Sequence, residues 1–213
     1  MMEPVFTIGH STHAIEKFIG LLQAANVTVV SDVRSRPYSR MNPQYNREAL
    51  RDTLATIGVK YVFLGKELGA RSEDQSCYRN GQVQYDLLAK TELFKKGIER
   101  IKAGSQSYRI ALMCAEKEPL DCHRTILVSR ELVGQGLDIK HILADGQIET
   151  HKQALNRLVE KLRLLPGDML RSDDMILKEA YEAQSEQIAY REVSEEVERQ
   201  PFPKAEGIAG ATR

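Results

Sequence analysis

Along the first 165 positions the apolar residues follow two alternating periods. PVFTI (4–8) is a short run rich in β-formers, and AIEKFIGLLQAA (14–25) then spaces Ile15, Phe18, Ile19 and Leu22 along one helical stripe. The alternation repeats. VTVVSDV (27–33) reads as a buried strand. NREALRDTLATIG (46–58) reads as a helix with Asn46 as N-cap, Gly58 as stop, and Leu50, Leu54 and Ile57 on one face. VKYVFL (59–64), YRIALMCA (108–115) and IKHILA (139–144) predict three more strands, with helices over ELFKKGIERIKAG (92–104) and TILVSRELVGQG (125–136) between them.

Strands that are apolar at nearly every position are buried on both faces, as a parallel sheet covered by helices requires. The pattern therefore predicts an α/β fold: an open, mostly parallel five-stranded sheet flanked by helices, with an antiparallel edge strand as the variant. Residues 1–165 would form this domain. Beyond a PGDMLRSDD linker the sequence predicts a charged helical extension (166–200), helical over 175–199 with a thin apolar stripe of Leu177, Tyr181 and Ile188, and then a disordered tail (201–213). Such a stripe either packs on the parent domain or pairs with a second copy in a homodimer.

Each polar cluster follows the end of a strand: GHSTH, DVRSRPYSR, GKELGAR, CAEKEPLDCHR and ADGQ. In a parallel sheet those ends share one edge, where open α/β sheets bind ligands.

Composition narrows the setting. Among 213 residues 42% are hydrophobic and 28% charged, with zero formal net charge, which is the balance of an ordinary globular protein. From Arg171 onward 6 residues are basic and 10 acidic, so the front is mildly basic, short of the face expected of a dedicated nucleic-acid binder. No run reaches the roughly 18 apolar residues of a membrane span, and MMEPVFTIGH lacks the features of a signal peptide. Three cysteines, Cys77, Cys114 and Cys122, do not form a disulfide framework. A cytoplasmic protein with reduced thiols is expected.

The chemistry concentrates in CAEKEPLDCHR. With Asp121 as cap, Cys122, His123 and Arg124 would occupy the first turn of a helix, where N–H groups favour anions and lower a thiol's pKa. Cys122 then reads as a reactive thiolate or as a packing residue, and Cys114 as a small buried hydrophobe or a ligand. A metal site would draw on Cys114, Cys122 and His10, although adjacent helical residues such as Cys122 and His123 diverge by about 100°. Phosphatase-like and rhodanese-like loops need an arginine closer to their cysteine than Arg124 is to Cys114. His10 reads as a general base or a bonded loop histidine, and Glu116 as a proton carrier or a salt-bridge partner of Arg34, Arg36 or Arg71.

TIGHS, DVRSRPYSR, NPQYN, LGKELGAR, CAEKEPLDCHR and HILADG, in this order and spacing over about residues 5–150, resemble the bacterial and archaeal family called domain of unknown function 488. The resemblance implies that the family's recurrent polar positions correspond to His10, Asp32, Arg34, Pro37, Ser39, Arg40, Gly69, Arg71, Cys114, Glu116, Cys122, His123 and Arg124. It implies no activity. Where members commonly carry two glycines before the arginine, this chain has Gly69 and Ala70.

These residues together lead to the expectation of an enzyme binding an anionic, nucleotide or nucleic-acid-derived substrate. His10, Asp32, Glu116 and Cys122 are the catalytic candidates, and Arg34, Arg36, Arg40, Arg71, His123 and Arg124 the substrate-binding ones. A non-catalytic phosphate-binding module and a metal-dependent hydrolase are the alternatives. No cofactor is assigned.

Overall fold

A computed structural model describes residues 3–164 and 171–192. In chain order the elements are β1 (Val5–Gly9), α1 (Ile15–Ala24), β2 (Val29–Asp32), α2 (Arg47–Thr56), β3 (Lys60–Phe63) and the single turn α3 (Gly65–Leu68). A hairpin of β4 (Tyr78–Arg79) and β5 (Gln82–Val83), the turn α4 (Tyr85–Leu88), α5 (Glu92–Gly104) and β6 (Ile110–Cys114) follow. The chain continues through α6 (Arg130–Gly134), β7 (Ile139–Ile142), β8 (Ile148–Thr150), α7 (His151–Lys161) and α8 (Asp173–Ile188).

The sheet order is β3-β2-β6-β1-β7-β8. Its first five strands are parallel and correspond to the five apolar runs. β8 adds an antiparallel edge to β7, so the sheet has six strands rather than five. The cause is local: ADGQ forms a tight turn with Gly146 at φ 94°, and the Leu143 N–H donates to the Gln147 carbonyl. ADGQ thus serves as a hairpin turn. A second hairpin, β4–β5, turns on Asn80-Gly81, both at positive φ, the pairing that favours a two-residue turn.

Side chains alternate between two cores. Phe6, Ile8, Val30, Ala111 and Met113 face Phe18, Leu22, Leu50 and Leu54 of α1 and α2. Val5, Val29, Ile110, Leu112 and Cys114 belong to the opposite core with Phe94, Ile98, Ile126 and Leu158. Burial on both faces is why these strands read as continuous apolar runs.

The C-terminal helix α8 is capped by Ser172 and joins the second core through Ala180 and Tyr181, with Leu177 and Ile188 packed against it. The expected stripe therefore packs within the chain. The helix ends at Ile188, short of the expected 199, because Ala189 turns extended and the chain then pairs with the β4–β5 hairpin, Val83 N–H donating to the Tyr190 carbonyl and Glu192 N–H to the Gly81 carbonyl; residues 193–213, including the expected disordered tail, lie outside the described residues. Helix α7 carries a Thr150–Gln153 capping box. Among the described residues no helix is long and apolar enough to cross a membrane.

A buried polar chain joins the sheet to the last two helices. Thr7 Oγ1 meets His141 Nδ1 at 2.8 Å, His141 Nε2 meets His151 Nδ1 at 3.1 Å, and His151 Nε2 meets the Tyr181 hydroxyl at 2.7 Å. Burial lowers His151 to a pKa of about 4 and, with His151 beside it, holds His141 well below the usual histidine value. Both groups bind protons more readily in the unfolded chain, where the pKa is about 6.5. Their contribution to stability is thus complete above that value and is lost as pH falls from about 6.5 towards 4, at up to about 1.4 kcal/mol per pH unit for each histidine. Urea unfolding between pH 7 and pH 5 should show this loss, and His151→Gln should flatten the slope by about one proton. Equal slopes for the two proteins would refute the assignment.

Candidate functional site

The connection from β2 leads outward to β3, whereas that from β6 leads to β7 on the far side of β1. The carboxyl ends of β2 and β6 therefore flank a topological switch point, the place where open α/β sheets form crevices. DVRSRPYSR leaves one side of it and CAEKEPLDCHR the other.

Asp32, fully buried at the end of β2, is paired with Arg34 through Nε to Oδ1 (2.9 Å) and Nη2 to Oδ2 (2.6 Å). The Arg34 backbone N–H also donates to Oδ1, and the Tyr61 hydroxyl on β3 donates to Oδ2 at 2.7 Å. Arg34 also donates to the Tyr45 carbonyl (2.8 Å) and to His10 Nε2 (3.1 Å). Because arginine only donates and the Ser11 carbonyl only accepts, His10 must carry its proton on Nδ1, which lies 2.8 Å from Ser11 O. The ring stacks on Tyr45 at 4.2 Å, and burial lowers its pKa to about 4. His10, Asp32 and Arg34 thus form one closed network.

The rest of DVRSRPYSR is pinned from outside. Asn46, at the N-cap position of α2, does not cap that helix; its Oδ1 accepts from the Ser39 N–H at 2.7 Å. The Ser35 hydroxyl accepts from the Arg71 N–H, and a methyl on Gly69 would overlap that hydroxyl and the Gly65 carbonyl. Gly69 is therefore required by close approach even though Ala70 follows it. Arg36 and Arg71 are exposed on the crevice wall, with Arg71 stacked over Tyr190 at 4.3 Å. Arg40 is exposed but does not line the crevice.

After β6 the chain departs from the expected helix start. Pro119–Asp121 form a short 3-10 turn capped by Glu118, and Cys122 is extended (φ −136°, ψ 138°) before helical geometry begins at His123. Asp121 instead accepts from Lys161 and Gln184. The thiol and the imidazole consequently converge rather than diverge. Cys122 Sγ lies 3.0 Å from Glu116 Oε2, and His123 Nδ1 lies 3.6 Å from Cys114 Sγ and 3.9 Å from Cys122 Sγ. Cys114, Glu116, Cys122 and His123 each place one donor atom within 4.8 Å of all the others. The sequence-level grouping of Cys114 and Cys122 with His10 is corrected: His10 belongs to the arginine network, and Glu116 and His123 complete the cluster.

Arg124 opens a π-helical segment (Arg124–Ser129) that leads into α6 and is stabilised by Ser129 Oγ donating to the Arg124 carbonyl at 2.7 Å. Its guanidinium is fully buried and donates to the Glu116 and Lys117 carbonyls (2.7 and 3.3 Å), which fixes the loop after β6. Gly9 makes room for that loop, since a methyl there would overlap the Glu116 carbonyl oxygen.

The crevice holds a pocket of about 260 Å³ with Cys114, Glu116 and His123 on its floor and Arg36 and Arg71 on its walls. A recess of about 450 Å³ adjoins it, sharing Arg34, Arg36, Ala115 and Glu116 and bordered by His10 and Lys117. Glu116 is exposed as a residue, but its carboxyl end is turned to the floor, where desolvation and then Cys122 raise its pKa. Burial opposes a charge on Cys122, yet Cys114, Arg124 and His123 outweigh it and hold that thiol well below its usual value; Cys114 is raised by burial and by Cys122. Burial works against a charge on His123, but Cys122 and Glu116 raise it.

Several lining residues escape sequence reasoning. Tyr85, Ile188 and Tyr190 come from α4 and the C-terminal segment, and the fully buried Gln184 holds the 119–121 turn through the Leu120 carbonyl at 2.9 Å. Only Tyr190, an aromatic shortly before an arginine in a charged tail, offered a signal, and a weak one.

Removing one partner of the buried pair leaves the other charge unpaired, so Asp32→Ala should lower unfolding free energy by about 3–5 kcal/mol, and Asp32→Ala/Arg34→Met by less than the sum of the single changes. Chemical denaturation checks both, and a loss below about 1 kcal/mol for Asp32→Ala would contradict a structural role for the pair.

Searches among curated proteins and among solved structures found no match. A family model described as Domain of unknown function DUF488 matches residues 14–130, a span from the start of α1 to the start of α6 that includes Asp32, Arg34, Arg36, Arg71, Cys114, Glu116, Cys122, His123 and Arg124. More than half of the chain is matched, and both walls of the crevice lie within it: the protein belongs to the DUF488 family.

Proposed function

We propose that the protein is an enzyme acting on a small anionic substrate, a nucleotide or a nucleic-acid component, bound between Arg36 and Arg71. The observation that carries this reading is the coincidence, in one pocket at the sheet's carboxyl edge, of a floor of Cys114, Glu116 and His123, with the Cys122 thiol in contact with the last two, and two exposed guanidinium groups on the walls. Guanidinium groups suit bidentate contacts to phosphate or carboxylate, and a crevice with low-dielectric walls strengthens them. The pocket alone accommodates a phosphate or carboxylate head; with the adjoining recess it accommodates a whole nucleotide.

The remaining candidates take supporting roles. Arg34 and Asp32 hold the β2 loop, Arg124 holds the β6 loop, and His10 positions Arg34. Glu116, the exposed member of the floor, is the group that meets the substrate. Arg40 has no role at the pocket.

Titration calorimetry with inorganic phosphate and a panel of nucleoside mono- and diphosphates tests the binding half. One of them should bind, and Arg36→Ala/Arg71→Ala should raise its Kd by at least about tenfold, consistent with losing charged hydrogen bonds of about 1.5–3 kcal/mol each. Unchanged affinity in that variant, or no binding by the native chain, would sink the proposal.

Cys122→Ser separates turnover from binding. An enzyme keeps its anion affinity in this variant and loses conversion of the bound compound, measured by product analysis. A native chain that binds the anion yet leaves every bound compound unchanged over long incubation is a binding module instead.

A further inference from the structure

We propose that Cys114, Glu116, Cys122 and His123 bind a zinc ion, which makes the pocket floor a metal centre with one exchangeable ligand. The inference rests on the preceding reading in one respect, that the pocket is where substrate meets the protein.

Ligand spacing is the first support. Zinc–sulfur bonds of about 2.3 Å and zinc–nitrogen bonds of about 2.0–2.1 Å in a tetrahedron place S and N ligand atoms about 3.6 Å apart. His123 Nδ1 lies 3.6 and 3.9 Å from the two sulfurs, and Glu116 Oε2 lies 3.0 Å from Cys122 Sγ. Small side-chain adjustments suffice to close such a shell.

The imidazole's outer hydrogen bond is the second. His123 Nε2 lies 3.0 Å from the Val33 carbonyl, an acceptor only, so Nε2 carries a proton and Nδ1 faces the sulfurs. Ligating histidines characteristically donate their outer N–H to a carbonyl or carboxylate, which fixes ring and tautomer. The Arg124 N–H, 3.4 Å from Cys122 Sγ, supplies a comparable contact to a thiolate.

Charge is the third. Arg124 is buried and, among the described residues, makes no ion pair with a carboxylate; its donors reach only carbonyls. A buried guanidinium needs compensating negative charge nearby. Two thiolates, one carboxylate and a divalent ion sum to one negative charge, which Arg124 balances. Loading the ion displaces the thiol protons to solvent.

Soft thiolates with imidazole select zinc over magnesium or calcium. Cys114, Cys122 and His123 are buried while Glu116 is exposed at the pocket. Three fixed ligands and one labile carboxylate match the pattern of catalytic zinc, where the fourth position opens to water or substrate.

The full chain purified without chelator, from medium containing zinc, should carry about one equivalent by elemental analysis. After metal removal it should take up Co²⁺ with the intense visible bands of a tetrahedral site and near-ultraviolet thiolate-to-cobalt charge transfer. Cys77→Ser should leave both unchanged, because Cys77 lies outside the cluster. Glu116→Gln, a change of nearly equal size and shape, should weaken zinc at least about tenfold in chelator competition and shift the cobalt bands. Less than about 0.1 equivalent of zinc with no thiolate-to-cobalt band, or an intact mass showing Cys114 and Cys122 joined as a disulfide, would overturn the proposal. Arg36→Ala/Arg71→Ala should keep its metal, so loss of anion binding with zinc retained refutes the substrate reading alone. Anion binding without zinc refutes only the metal.

Discussion

The buried ion pair of Asp32 and Arg34 is the constraint on which the site depends. Taking both charges out of water costs several kcal/mol per ion, and only near-complete hydrogen bonding offsets it. Here both Asp32 oxygens are engaged, by Arg34 and by Tyr61 from β3, while Arg34 also reaches Tyr45 before α2 and His10 after β1. One pair therefore ties four segments to a single geometry. Such a network specifies position more than it adds stability, since an apolar replacement of similar volume often costs nothing.

With that wall fixed, the opposite wall is built by a second buried arginine. Arg124 holds the loop after β6 through carbonyls alone, and the π-helical segment that follows it, together with an extended Cys122, turns the thiol and the His123 ring to one point. His123 then bonds back across the crevice to the Val33 carbonyl, joining the β6 side to the β2 side. The C-terminal segment, beyond the family match, completes the enclosure with Gln184 under the 119–121 turn and Tyr190 under Arg71. Arginines in this protein divide by burial: Arg34 and Arg124 shape the walls, and Arg36 and Arg71 face the crevice.

All five parallel strands could be read from the sequence because burial on both faces demands continuous apolar runs. Helices α1, α2, α5 and α8 were legible from their 3.6-residue stripes and stops. Short hydrogen-bonded elements carry less signal: β8 and the β4–β5 hairpin at Asn80-Gly81 have no place in the periodic pattern, and the longer helix α7 is likewise missing from it, although Asn-Gly and Thr-x-x-Gln have local signatures. Where the polar clusters meet was legible in outline, since strand ends of a parallel sheet share an edge. ADGQ is the exception, drawn into a hairpin away from the pocket.

By itself the sequence determined the layer architecture, the strand-end location of the chemistry and the set of residue types gathered there, because hydrophobic periodicity reports burial and loop position follows from strand position. Only the tertiary structure decided which arginine is spent on Asp32, that His10 sides with the arginines, and that Glu116 and His123 join the two cysteines. Those outcomes depend on strand order, which places β6 beside β2, and on one backbone dihedral pair at Cys122. Neither leaves a periodic trace in the chain, because both arise from contacts between segments distant in sequence.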